Sequence, residues 1–262
     1  MRVGSVAVIG RPNAGKSTLV NRLVGEKIAI VSDKPQTTRK RILGIARGEG
    51  YEIALLDTPG IHRPQFRLNA AMVRDATDAL STADLVLWIV DASERIGTGE
   101  AFIASLLERG SRPAILALNK IDKIAKPRLL PIIQELSSKY AFRELVPISA
   151  LTGDGVERVL RLLAENLPEG EPAYPEGFLT STPESEWIGE VIREKLLERT
   201  REELPFVSAV LVESVREEPE RELTVVTASI VVEREGQKGI VVGQGGSMIR
   251  DIGKAAREEL EG

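Results

Sequence analysis

The run Gly10-Arg11-Pro12-Asn13-Ala14-Gly15-Lys16-Ser17 follows an apolar stretch and opens an amphipathic one. Glycines at its ends let successive backbone N–H groups turn inward around an anion. Lys16 can reach the β- and γ-phosphates of a nucleotide, and the Ser17 hydroxyl can bind Mg2+. The helix that follows, with Thr18 in its first turn, aims its positive end at the same phosphates. Two more groups of polar residues stand where apolar runs end. In Asp57-Thr58-Pro59-Gly60, the carboxylate can hold the metal through water and the Gly60 N–H can meet a γ-phosphate. In Asn119-Lys120-Ile121-Asp122, Asp122 can accept hydrogen bonds from guanine N1–H and its exocyclic amine, which adenine cannot supply. Asn119 would brace the loop, and the Lys120 stem would cover the ring. Ser149-Ala150, after another apolar run, would bring the Ala150 N–H near guanine O6.

These groups need strands that end together. Apolar runs at 3–9, 42–47, 51–56, 85–91, 114–118 and 144–148 alternate with helical patterns at 16–25, 66–80, 98–109, 128–140 and 154–167. The alternation predicts a mostly parallel sheet with helices on both faces. Gly48-Glu49-Gly50 joins two of the runs as a hairpin, so one strand is antiparallel. Residues 168–183 shift to Pro, Gly, Glu, Ser and Thr and read as a connection. A second unit follows: a helix at 186–201, strands at 206–215 and 223–233, a glycine-rich turn, and a helix to the end.

Composition narrows the chemistry. With no cysteine and a single histidine, His62, thiolate metal sites, imidazole-rich zinc sites and a histidine relay are excluded. His62 is assigned no catalytic role. The net charge of −4 argues against coating nucleic acid by bulk attraction, so any such contact must be local. No apolar run approaches a membrane span, and a cytoplasmic monomer is expected.

Across residues 1–167 the four elements, in this order, resemble the translation-factor class of P-loop GTPases. Pro12-Asn13 and Gln36-Thr37-Thr38-Arg39 resemble the Era branch of the TrmE–Era–EngA group. The resemblance implies GTP and GDP as ligands. Mg2+ would be held by Ser17, Thr38 and Asp57, with Thr38 the switch threonine and Thr37 the runner-up. Ile61 stands where Ras-like relatives carry a water-orienting glutamine, so unaided hydrolysis should be slow. In related GTPases a residue matching Asn13 helps bind K+ in place of an arginine finger, so K+ stimulation is expected. Lys16, Asn13, Thr38 and Gly60 are the expected catalytic groups.

Further on, Val241-Val242-Gly243-Gln244-Gly245-Gly246-Ser247-Met248-Ile249 forms a G-x-x-G turn opening a helix. In KH modules such a turn clamps single-stranded RNA, because phosphates can approach a helix start free of bulky side chains. Lys238, Gly243, Gln244, Gly245, Gly246 and Arg250 are the expected RNA contacts, with Lys254 and Arg257 adding local charge. The fold class expected is therefore an α/β P-loop GTPase domain (1–167), a linker (168–183), and a smaller α+β type II KH-like domain (184–262). Members of this branch continue past the helix at 247–261 with a strand and a final helix, so the KH-like part is expected to be C-terminally incomplete, with an exposed sheet edge. The resemblance also implies binding to the 3′ end of 16S rRNA and to the 30S subunit during assembly, and peripheral contact with the inner membrane. Two alternatives stay open: a GTP/GDP-binding RNA module with incidental hydrolysis, and another TrmE-related GTPase.

Overall fold

A computed structural model of the chain describes residues 1–34, 37–61, 77–110, 112–200 and 204–261. Gln36, His62 and most of the helix expected at 66–80 lie outside the described residues; residues 77–82 are helical. The chain divides into two compact units, Met1–Ala29 with Pro35–Ser181, and Ile30–Lys34 with Thr182–Gly262.

The first unit holds a six-stranded sheet of β1 (Arg2–Gly10), β2 (Ile42–Gly48), β3 (Tyr51–Asp57), β4 (Leu85–Asp91), β5 (Ala114–Asn119) and β6 (Glu144–Pro147). Their order is β2-β3-β1-β4-β5-β6, and only the β2–β3 hairpin pair is antiparallel. Continuous apolar runs make these strands because both faces are covered. Val6 and Val8 enter one core with Leu85, Leu87 and Ile89, whereas Ala7 and Ile9 enter the other with Val86, Trp88 and Val90. The first core is closed by α1 (Lys16–Val24) and α4 (Val156–Glu165), the second by α2 (Thr98–Gly110) and α3 (Leu129–Lys139). Period-two alternation along the strands thus feeds two helical layers at once. Helix α1 presents Leu19, Val20 and Leu23 to its core and stops at Gly25, whose left-handed φ of 89° lets its N–H cap the Asn21 carbonyl.

The connecting stretch is not a free tether. Residues up to Ser181 group with the first unit and cover its β2 edge. The Ile45 N–H donates to the Leu179 carbonyl at 2.8 Å, and Gly44 bridges to Thr180. Arg47 donates to the carbonyls of Phe178 and Pro175, each at 2.8 Å, while Nε pairs with Glu52 at 2.9 Å. Glu52 in turn accepts the Ala173 N–H at 2.7 Å. A bare edge strand invites pairing with other chains, and here the strap occupies it. Composition hid this, because backbone and carboxylate partners, not apolar periodicity, hold the segment.

In the second unit α5 (Glu184–Arg199) and the short α6 (Leu204–Val207) precede a two-stranded antiparallel sheet of β7 (Ser208–Glu218) and β8 (Leu223–Val232). The strand expected from 206 therefore starts at Ser208. Its register slips between Val212 and Ser214, a bulge that re-aims the strand. The stretch read as one glycine-rich turn contains a helix, α7 (Glu235–Val242), before α8 (Ser247–Leu260). Gly236, Gly239 and the β-branched run Ile240-Val241-Val242 masked it. The helix forms because Gln237 accepts the Arg234 N–H at 3.0 Å and Val241 is buried with Leu196, Leu204 and Ile252. Within this unit the Val31 N–H donates to the buried Glu194 carboxylate at 2.7 Å.

Candidate nucleotide site

Residues Gly10–Ser17 and Asp57–Gly60 begin at the carboxyl ends of β1 and β3, where an open parallel sheet places its ligands, and Thr38 lies in the loop before β2. Gly15 has φ 94°, and a Cβ there would lie 2.3 Å from Asn119 Nδ2, so only glycine fits. Asn13 takes the left-handed region at φ 60° without being glycine, and its side chain is exposed. A Cβ on Gly60 would fall 2.6 Å from Pro12 N and Cα, so the D-T-P-G loop lies against the phosphate loop. Thr58 Oγ1 anchors that loop to the Val8 carbonyl at 2.8 Å.

Lys16 is buried and donates to the Arg11 carbonyl at 2.9 Å. Burial lowers its pKa to about 8, with Asp57 acting in the opposite direction. Asp57 is wholly buried, and desolvation pushes its pKa up to about 6 despite Lys16 and the Ser17 hydrogen bond. Ser17 Oγ lies 2.7 Å from Asp57 Oδ2 and 2.9 Å from Thr38 Oγ1. Thr38 therefore brings its hydroxyl to this cluster. Asp57 Oδ1 is buried with no hydrogen-bond partner. A desolvated, under-satisfied carboxylate beside two hydroxyls is a hard oxygen donor set, and it fits Mg2+, which takes few protein ligands and completes its shell with phosphate and water.

Ile61 is fully buried in the second core, with its N–H donated to the Gly10 carbonyl at 2.9 Å. Its side chain is thus committed to packing, and no polar group stands at that position to orient water.

On the base side, the buried Asn119 donates through Nδ2 to the Ala14 carbonyl at 2.8 Å and accepts the Ala150 N–H at 2.9 Å. One amide thus ties three loops together. It also means that the Ala150 N–H, expected near guanine O6, is held by Asn119 here. Ser149 is buried, its Oγ accepting the Thr152 N–H at 3.1 Å. Lys120 sits at φ 64°, and Asp122 is exposed beyond it. Thr18 is half-buried in the first turn of α1.

Several bracing residues carried no motif. Arg22 on α1 donates to the carbonyls of Ala150 and Leu151 at 2.8 and 2.7 Å. Arg11 pairs with the buried Glu100 at 3.1 Å, and Asp91 pairs with Lys120 at 2.6 Å. Only the strand-end position of Asp91 could have flagged any of these in the sequence.

In the second unit, Gly243, Gly245 and Gly246 all have positive φ, at 72°, 60° and 76°. A Cβ on Gly243 would lie 2.7 Å from Met248 N, so the turn needs glycine there to enter α8. Ile240 and Ile249 are exposed nearby in sequence, as is Arg250. The expected positive patch is partly neutralised, since Lys238 lies 3.4 Å from Glu235 and Lys254 3.7 Å from Glu258.

The sequence matches the 50S ribosome-binding GTPase family over residues 5–120 and the KH domain family over residues 207–262. It is 47% identical to the GTPase Era of Geobacter metallireducens, covering 99% of this chain and 87% of that protein. The chain belongs to the Era family of GTPases. The Era of Heliobacterium modesticaldum is 45% identical over 100% of this chain and 87% of its own length. Among solved structures, an Era in complex with MgGDPNP and nucleotides 1506–1542 of 16S ribosomal RNA superposes with a TM-score of 0.96 at 39% identity, covering 100% of this chain and 89% of that one. An Aquifex aeolicus Era variant bound to GDP and aluminium fluoride gives 0.95 at 39% identity, with the same coverage. The fold is a P-loop GTPase domain followed by a KH domain, and the protein is a GTPase.

Proposed function

We propose that GTP hydrolysis in this chain is a slow switch that sets its affinity for single-stranded RNA at the 3′ end of 16S rRNA, on the 30S subunit during assembly. The convergence of Thr38 with Ser17 and Asp57 carries the reading. Thr38 belongs to the loop that precedes β2, and its hydroxyl ties that loop to Ser17 at 2.9 Å. Its hydroxyl is where the presence of a metal-bound γ-phosphate would be felt. The same stretch of chain begins at Ile30–Lys34, which groups with the second unit. The Era–RNA complex named above supports an RNA partner for the KH part.

In this reading Lys16 and the backbone N–H groups of Gly10–Ser17 bind the β- and γ-phosphates, and the Gly60 N–H meets the γ-phosphate. Ser17, Thr38 and Asp57 hold Mg2+, which neutralises phosphate charge when bound. Asn119, Lys120 and Asp122, with the Ser149-Ala150 loop, select guanine. With Ile61 turned into the core, position 61 supplies no side chain to guide the attacking water. The exposed Asn13 at the rim is then the ligand for K+. The division of labour is a GTPase unit at 1–167 and an RNA unit at 184–262, acting as a cytoplasmic monomer with peripheral membrane contact. Among the described residues no helix is long and apolar enough to cross a membrane.

Steady-state hydrolysis with and without a 16S 3′-end RNA, in K+ and in Na+ buffers, tests the proposal. RNA affinity should differ between the GTP-analogue and GDP forms, and turnover should rise in K+ unless Asn13 is replaced by Ala. Equal RNA affinity in both nucleotide states would leave a GTP/GDP-binding RNA module with incidental hydrolysis.

A further inference from the structure

We propose that Asp91 is a positioning residue for guanine recognition, acting through Lys120; the inference rests on the reading of residues 119–122 as the base site. Asp91 ends β4 in register with Asn119 at the end of β5, and the Ala92 N–H donates to the Asn119 carbonyl at 2.8 Å. The two strand ends are therefore locked side by side, one residue short of Lys120. One carboxylate oxygen of Asp91 is fixed by Ser93, whose N–H and Oγ donate to it at 2.9 and 2.6 Å. The other is left for Lys120 Nζ at 2.6 Å.

Lys120 pays for its place with a left-handed backbone, φ 64°, a conformation that favours glycine. A side chain kept at such a position has work to do. Its stem has four rotatable carbons, and with the ammonium pinned at the far end it is confined to one path. A stem ordered before the base arrives loses less entropy when the base packs beneath it. The two side chains retain only 23% and 11% of their exposure, so solvent screens the pair less than an open surface ion pair.

The test compares GDP and ADP affinities and steady-state GTP hydrolysis for wild type, Asp91→Asn, Lys120→Met, the double variant and Ser93→Ala. Asp91→Asn keeps the shape of the side chain and removes the charge. It should raise the Kd for GDP and the KM for GTP about tenfold while leaving kcat at saturation and ADP binding near wild type. Lys120→Met should raise the Kd for GDP and the KM for GTP at least as far, and the double variant should be no worse than Lys120→Met alone. Ser93→Ala, which trims only the turn, should bind GDP as wild type does. Additive effects in the double variant, equal losses for GDP and ADP, or a Ser93→Ala variant as weak as Asp91→Asn would each overturn the proposal. If wild type bound ADP as tightly as GDP, or Lys120→Met bound GDP unchanged, the base-site reading itself would fall, and the role of Asp91 with it.

Discussion

The phosphate loop and the G-x-x-G turn are both glycine-containing entries to a helix, yet they are built to different standards. The first has a buried interior, is cross-tied through Asn119 to two other loops, and carries Lys16 and Asp57 on the inside. The second is a short exposed turn whose basic neighbours Lys238 and Lys254 lie beside Glu235 and Glu258. A site that must hold a compact, highly charged nucleotide invests in preorganised, desolvated groups. A site that takes a flexible strand needs room for the backbone, and glycine supplies it.

The comparison breaks first at Gly15. Gly15→Ala meets both a left-handed φ and the Asn119 amide, so GDP affinity by titration calorimetry should fall at least a hundredfold, about 3 kcal/mol.

Burial of Asp57 gives a second, opposite-signed test. Its folded pKa of about 6 stands above the ordinary carboxylate value of 3.8, so the contribution of Asp57 to the stability of the nucleotide-free protein is full below about pH 4 and is lost as pH rises through about 6. Asp57→Asn should therefore stabilise the nucleotide-free protein at neutral pH by about 3 kcal/mol, and not at pH 4, while abolishing Mg2+-dependent nucleotide binding. In wild type, Mg2+-dependent GDP affinity should weaken below pH 6, as protons compete for the carboxylate. Denaturant melts with and without Mg·GDP read both effects.

Smaller is the effect of freeing the strap. Glu52→Ala strips Arg47 of its partner and the Ala173 N–H of its acceptor; stability should drop by about 2 kcal/mol, with new proteolytic cleavage within 168–181. Smallest in energy, Gly245→Asp sets a negative charge in an open turn and should weaken single-stranded RNA binding about tenfold, about 1.4 kcal/mol, leaving GTP turnover without RNA unchanged. Loss of turnover in that variant would mean the two regions are not separable.

Legibility followed the same division. The six strands, the antiparallel hairpin and the glycine-bounded phosphate loop could be read because short-range pattern and backbone requirements specify them. Helix α7 escaped, since Gly236 and Gly239 argue against a helix that Val241 earns by tertiary burial. The strap escaped for a related reason: Arg47 and Glu52 look like ordinary hairpin charges until residues 173–180 arrive to use them.

By itself, the sequence determined which chemistry could occur and at which strand ends, because the glycines of the phosphate loop, the acid at 57 and the Asn119–Asp122 spacing are local properties of the backbone. Only the tertiary structure decided that Asp57 keeps an unpaired oxygen, that the Thr38 hydroxyl reaches Ser17, that Ile61 is turned into the core, and that Asp91 holds Lys120. Each of those depends on groups far apart in the chain, whose distance and solvation exist only once the sheet has brought them together.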